Sequence, residues 1–335
     1  MPAPEEAVHD QTLAKFREEK MKILSSAFGG LWIAIAISTV AFAGDSETCK
    51  KVRFSDVGWT NITATSATTA AVLQLMGYEP DILQLSIPVT YASLKNNDID
   101  VFQGYWKPSM DADIKPYLED GSVEVLPTPN LEGAKYTIAV PTYTYEKGLK
   151  DFMDIAKFKD AVNGKIYGIE PGNDGNRHVF AMIADPKFNL SDWELVESSE
   201  AGMMAEVAKS IQNQKDVIFL GWEPHTMNTV YDIKYLTGGD ELFGPNYGGA
   251  TVWTNTRKGY VSECPNVGQM MLNVTFTVEM EDEIMLEMDK GVAPKDAGTA
   301  WLKANPAILD KWLADVTTFD GSGPALDAVK TGLGL

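Results

Sequence analysis

Three short apolar runs, each bounded by glycine and each ending on an indole, constrain this chain more than any other feature. They are FSDVGW (54–59), VFQGYW (101–106) and VIFLGW (217–222), and the last two share a continuation, Trp106-Lys107-Pro108 against Trp222-Glu223-Pro224. Each run reads as a strand followed by a helical pattern, and strand–helix alternation implies a parallel sheet with helices on both faces. In open sheets of this kind ligands bind beyond the carboxyl ends of the strands. Indoles delivered there would form a set of π faces, which recognise cations that have no hydrogen to donate. Any one buried tryptophan is otherwise ordinary core. The repetition at one place in three similar units is what points to a ligand site.

Alternation continues through most of the chain. Strands are expected at 52–57, 81–85, 99–104, 165–169, 216–220 and 252–255, and helices at 62–76, 91–96, 152–158, 177–183, 201–212, 282–290, 294–305 and 306–316. The C-terminal segment is rich in helix and too poor in strands to build a sheet of its own, so it should return to the first half. The expected organisation is a discontinuous lobe, 44–132 plus 235–335, and an inserted lobe, 133–234, joined by two strands acting as a hinge. Two consecutive domains are the other arrangement the pattern allows.

Residues 1–43 stand apart. Met21-Lys22 precedes an apolar stretch ending Ala41-Phe42-Ala43, the pattern of a secretory signal peptide cleaved near Ala43 after an N-terminal extension. The same stretch is nearly long enough for an uncleaved anchor. The formal charge of −19 repels nucleic acid and anionic lipid. Cys49 and Cys264 are the only cysteines; in an exported chain an even number predicts one disulfide. In the chain-entropy model, closing a loop of about two hundred residues contributes roughly 4–5 kcal/mol. Three histidines (His9, His178, His225) show no ligand spacing with the cysteines, so no metal is expected, and no cofactor motif or nucleophile elbow is visible.

The motifs GWTN (58–61), GYWKP (104–108), KYTIAVP (135–141), GIEPGNDGN (168–176) and FLGWEPH (219–225) resemble those of substrate-binding proteins of ABC importers for choline, glycine betaine and related compounds, the choline-binding subgroup above all. The resemblance covers essentially all of the chain after residue 43. It implies a type II periplasmic binding protein, two α/β lobes on a two-strand hinge closing on a ligand, working as a monomer with a membrane permease in the periplasm and not as an enzyme. Transferred motif by motif, it implies an aromatic box of Trp59, Trp106, Tyr136 and Trp222, with Asn173 at the ligand's polar end. Asn61 stands where the choline-binding subgroup has an aspartate. An asparagine amide donates as well as accepts, so this change favours a zwitterion with a carboxylate tail, such as glycine betaine or dimethylsulfoniopropionate, without excluding choline.

Two helix starts, near Asn61 and near Asn173, would reinforce an anionic tail through their free N–H groups. Asn61, Asn173 and Asp174 are also good helix caps, and both roles can coexist. Arg177 reads as a surface or interlobe ion pair; His178 and His225 read as structural. Glu170 and Glu223 flank strand ends, where their charge would favour a cation or make solvated or hinge contacts. Trp193, Trp253, Trp301 and Trp312 lack the strand-end setting and read as packing. A secreted choline-ester hydrolase and a membrane-tethered onium sensor are the alternative functions.

Overall fold

The computed structural model describes residues 44–335; the expected leader at 1–43 lies outside the described residues. Among the described residues nine strands form one sheet: β1 (Lys51–Asp56), β2 (Glu79–Gln84), β3 (Val101–Lys107), β4 (Val123–Pro141), β5 (Lys165–Tyr167), β6 (Glu194–Val196), β7 (Phe219–Glu223), β8 (Ile233–Tyr235) and β9 (Gly249–Arg257). Their order is β2-β1-β3-β9-β4-β7-β5-β6, with β8 paired to β4. The parallel pairing expected from the alternation holds on both flanks, in β1 with β2 and β3 and in β5 with β6 and β7. The centre departs from it. There β4 and β9 run antiparallel to each other, β9 antiparallel to β3, and β4 antiparallel to β7.

These two strands belong to both halves of the sheet. The first part of β4, up to Leu131, pairs only with β9, while Lys135–Ala139 pairs with β7. Register shifts between Val125 and Ala134 fall where Pro127 and Pro129 withhold ladder N–H groups. The result is a curled α/β sheet carrying two lobes. On the return, β8 pairs with Ala139–Pro141 and Thr237 bridges to Asp151.

The longer helices are α1 (Thr60–Leu75), α2 (Ile87–Lys95), α3 (Asp111–Glu119), α4 (Asp174–Ala184), α5 (Glu200–Gln212), α6 (Pro265–Asn273), α7 (Val278–Asp289), α8 (Pro294–Ala304) and α9 (Ala325–Leu333). Helix α1, TNITATSATTAAVLQL, is buried nearly all round; its small side chains permit that. At its contact with α8 a Cβ on Gly298 would stand 2.1 Å from Thr68 Oγ1, so only glycine fits. Helices α7, α8 and α9 pack on α1, returning the C-terminal segment to the first part of the chain as the sequence suggests.

The disulfide between Cys49 and Cys264 is formed, with Cα atoms 5.6 Å apart across 215 residues. The same junction is reinforced by Asp45, whose carboxylate accepts from Asn266 N and Val267 N at the start of α6, each at 2.9 Å, and from the Tyr78 hydroxyl at 2.7 Å. An acidic group at a helix N-terminus is favourable there.

Candidate functional site

Two of the three indole-terminated runs deliver their rings from inside the sheet. Trp106 and Trp222 are each the penultimate residue of a strand, β3 and β7, and both are followed by a cis X-Pro bond, Lys107-Pro108 and Glu223-Pro224. The third differs. After β1 the chain turns at Gly58, whose φ of +85° suits glycine, and Trp59 stands at the N-cap of α1. Asp56 fixes this turn by accepting from Gly58 N and Thr63 Oγ1, both at 2.7 Å. Tyr136, on β4, lies directly across from Trp222 in the ladder.

These four rings and Ile169 line one small space. Tyr136 meets two of the others: its ring lies 6.0 Å from Trp106 at 66° and 6.0 Å from Trp222 at 90°. Every one of the four is buried. Of the residues expected at the site, the structure brings Trp59, Trp106, Tyr136 and Trp222 to this lining. Asn61 and Asn173 stand outside it.

Asn173 holds a ring. Its Oδ1 accepts the Tyr136 hydroxyl at 2.7 Å, and also caps α4 by accepting from Gly175 N at 2.8 Å and Asn176 N at 3.3 Å. Burial, with the charges of Asp174 and Glu170, pushes the Tyr136 phenol far up, so it stays a donor. The close approach explains a glycine of the GIEPGNDGN motif: a Cβ on Gly175 would lie 2.0 Å from Tyr136 Oη. Asn173 Nδ2 donates to Glu170 Oε1 at 3.2 Å, and the same oxygen accepts Trp59 Nε1–H at 3.0 Å. Burial pushes the Glu170 carboxyl up, against the hydrogen bonds that hold it down. The Trp106 indole nitrogen, by contrast, is buried without a protein partner.

Asn61 is 1% exposed. Its amide lies beside the buried carboxyl of Glu281 on α7, short of hydrogen-bond geometry. Burial pushes that carboxyl far up.

The N-terminus of α1, expected to be free for an anionic tail, is occupied by the protein's own carboxylate. Thr60 N donates to Glu200 Oε2 at 3.0 Å and the Thr60 hydroxyl to Glu200 Oε1. The same Oε1 lies 3.1 Å from His225 Nε2. Met227 N donates to His225 Nδ1 at 2.9 Å, so Nε2 carries the proton and donates to Glu200. Glu200 gave no signal in the sequence, because its partner Thr60 is 140 residues away.

A second set of contacts joins the loop after β3 and α3 to the start of α4. Arg177 donates two 2.8 Å bonds to Asp113 and one of 3.1 Å to Ser109 O, the ion pair expected of it. His178 Nε2 lies 3.3 Å from the same carbonyl; burial, then Arg177, pushes its pKa down to about 4. Asp174, fully buried, is pushed up to about 7 by burial, with Asp113 adding to the effect. Glu223 pairs with Lys135 at 3.3 Å near the surface. Trp193, Trp253, Trp301 and Trp312 are absent from the lining; Trp312, for one, is core and donates to Thr275 O at 3.0 Å.

The family model for OpuAC, the substrate-binding domain of an ABC-type glycine betaine transport system, matches residues 50–304. Among solved structures, an ABC-transporter choline-binding protein in complex with choline is 55% identical, with a TM-score of 0.84, over 86% of this chain and all of that one. Lactococcal OpuAC, closed and complexed with glycine betaine, is 27% identical with a TM-score of 0.72, over 78% of this chain and 99% of that one. The glycine betaine/carnitine transport binding protein GbuC of Listeria monocytogenes is 31% identical over 162 residues, 48% of this chain and 53% of that protein. All three similarities are to transport binding proteins, not enzymes. The chain therefore belongs to the substrate-binding domains of ABC-type glycine betaine transport systems.

Proposed function

We propose that the protein captures a small methylated onium compound in a cation–π box formed by Trp59, Trp106, Tyr136 and Trp222, with the lobes closing over it. The observation that carries this reading is that four aromatic rings line one small space while no charged side chain belongs to the lining. A methylated cation has no N–H to satisfy, so it needs no hydrogen-bond acceptor on that side. Each desolvated contact contributes about 2 kcal/mol, and four reach the roughly −8 kcal/mol of micromolar binding. As the substrate-binding protein of an ABC importer it acts outside the cytoplasm and delivers its cargo to a membrane permease. Periplasmic location after loss of residues 1–43, and a monomeric state, complete the proposal.

The ligand we favour is a zwitterion, glycine betaine or dimethylsulfoniopropionate, ahead of choline. Asn61 no longer supports this choice, since it lies outside the lining. The support is Trp106 Nε1, a buried donor without a protein partner: a carboxylate oxygen would accept from it more strongly than the hydroxyl oxygen of choline would. The hinge we propose is the crossing of β4 near Leu131–Lys135 and of β9 at Gly249–Val252, which extends the inserted lobe from 133 to the start of β9, beyond the 234 expected from sequence. Calorimetric titration with choline, glycine betaine, dimethylsulfoniopropionate and carnitine tests the function. Micromolar or tighter binding of at least one supports it; heat from none of them rejects it.

A further inference from the structure

The lining of the space carries no charge: three indoles, a phenol and the side chain of Ile169. Removing a cation from water into such a place is costly unless an opposite charge stands close by. Among the described acidic residues, Glu170 alone hydrogen-bonds a lining ring. It follows Ile169 in the loop between β5 and α4, and its Oε1 gathers two donors, Trp59 Nε1 at 3.0 Å and Asn173 Nδ2 at 3.2 Å. Through Asn173 it reaches a second ring, since the Tyr136 hydroxyl donates to Asn173 Oδ1 at 2.7 Å. An indole N–H or a phenol O–H donating toward a negative group pushes electron density into its ring, which strengthens the face that a cation meets. Trp59 comes from the loop after β1 and Glu170 from the loop after β5, on opposite flanks of the sheet, so the bond forms only when the two sides are together.

We infer that Glu170 is a positioning and specificity-determining residue: its carboxylate is the counter-charge of the bound onium group, acting through Trp59 and Tyr136, and ties recognition of positive charge to lobe closure. This rests on the aromatic-box reading and adds to it a reason for preferring cations over neutral molecules of the same shape. Lys135 and Glu223 face each other on the neighbouring strands β4 and β7 and are bound to each other, Glu200 is committed to Thr60 and His225, and Asp174, whose charge also acts on Tyr136, hydrogen-bonds none of the lining rings.

The geometry allows the charge to be separated from the hydrogen bonds. Both donors converge on one oxygen, so Glu170→Gln can retain both bonds through its own Oε1 while losing the charge. Glu170→Asp retains the charge while withdrawing the acceptor by one methylene. The full-length protein and both variants would be titrated with tetramethylammonium, the bare headgroup, with thermal melting as a check on folding. The expected order of affinity is wild type, then Asp, then Gln, with the Gln variant weakened about tenfold or more, as befits one unit charge at an effective dielectric of about 20. A Gln variant within threefold of wild type, or one binding as well as or better than the Asp variant, overturns the proposal and leaves Glu170 a hydrogen-bonding strut. If the wild type itself binds no tetramethylammonium, the aromatic box fails first, and the counter-charge fails with it.

Discussion

The two sides of the aromatic site are built differently. Trp59 and Tyr136 have their polar ends fastened, both through the Glu170–Asn173 pair. Trp106 and Trp222 come from matching strand ends with matching Trp-X-Pro continuations, and the Trp106 indole nitrogen has no protein partner. The lesson is a division of labour. On the proposed reading, the fastened side would present rings of fixed orientation to a headgroup that makes no hydrogen bonds, and the unfastened side would keep a donor for a ligand's oxygen. On that reading a ring without a tether would contribute through its face and its N–H, and a tethered one through its face alone, held by its tether.

The largest effect is expected on the unfastened side. Trp106→Ala should weaken onium binding about 30-fold or more, from the loss of one desolvated cation–π contact of roughly 2 kcal/mol, whereas Trp301→Ala, which removes a ring bonded to Glu283 at the surface, should change affinity less than about twofold, since surface changes away from special features are small. Equal losses in isothermal calorimetry would break the distinction between box and packing tryptophans. On the fastened side, Glu200→Ala removes the carboxylate that holds the N-terminus of α1, and with it Trp59, against His225. Hydrogen bonds to charged groups are worth about 1.5–3 kcal/mol, so affinity should fall on the order of tenfold, seen as faster dissociation in stopped-flow fluorescence; an unchanged off-rate would separate this clasp from closure. Tyr136→Phe keeps the ring and removes its tether. A net hydrogen bond of about 1 kcal/mol predicts a loss of roughly fivefold, and a variant as tight as wild type would show that the tether does not matter.

The smallest effect is one of pH. In the closed form Asp174 is pushed up to about 7 from an ordinary value near 3.9. Its contribution to closure is therefore complete at low pH and lost as pH rises through about 7. His178, pushed down to about 4, acts in the opposite sense, but only below its ordinary value near 6.5. Between pH 6.5 and 8 Asp174 dominates, with Asp282, pushed up to about 6 by burial and by Glu223, adding a little in the same sense. Affinity should fall roughly fourfold over that window, and Asp174→Asn should flatten the profile. A rise with pH would contradict the assignment.

The flanks of the fold were legible because their signal is local. Alternation marked β1, α1, β3, β5, α5 and β7 within a few residues, and the even cysteine count anticipated the bond between Cys49 and Cys264. The first half of β4 was hidden by Pro127 and Pro129, which argue against a strand, and α3 by its internal Pro116. Strand β8 was not expected at all, since three residues carry too short a pattern to mark a strand. At the site, residue type announced the rings, which are large and rare. It could not announce direction: Asn61 is one residue past the start of α1, and only the packing of α7 shows that its amide meets Glu281. Glu200 was invisible for the same reason as most long-range contacts, having no local pattern at all.

The central claim is that four rings from separate parts of the chain surround one methylated cation. A crystal structure of the protein with the compound that binds most tightly in the titration series tests it most directly. The account predicts the onium centre within about 6 Å of the ring centroids of Trp59, Trp106, Tyr136 and Trp222. A headgroup bound elsewhere in the protein, with those four rings packed against one another alone, would contradict it.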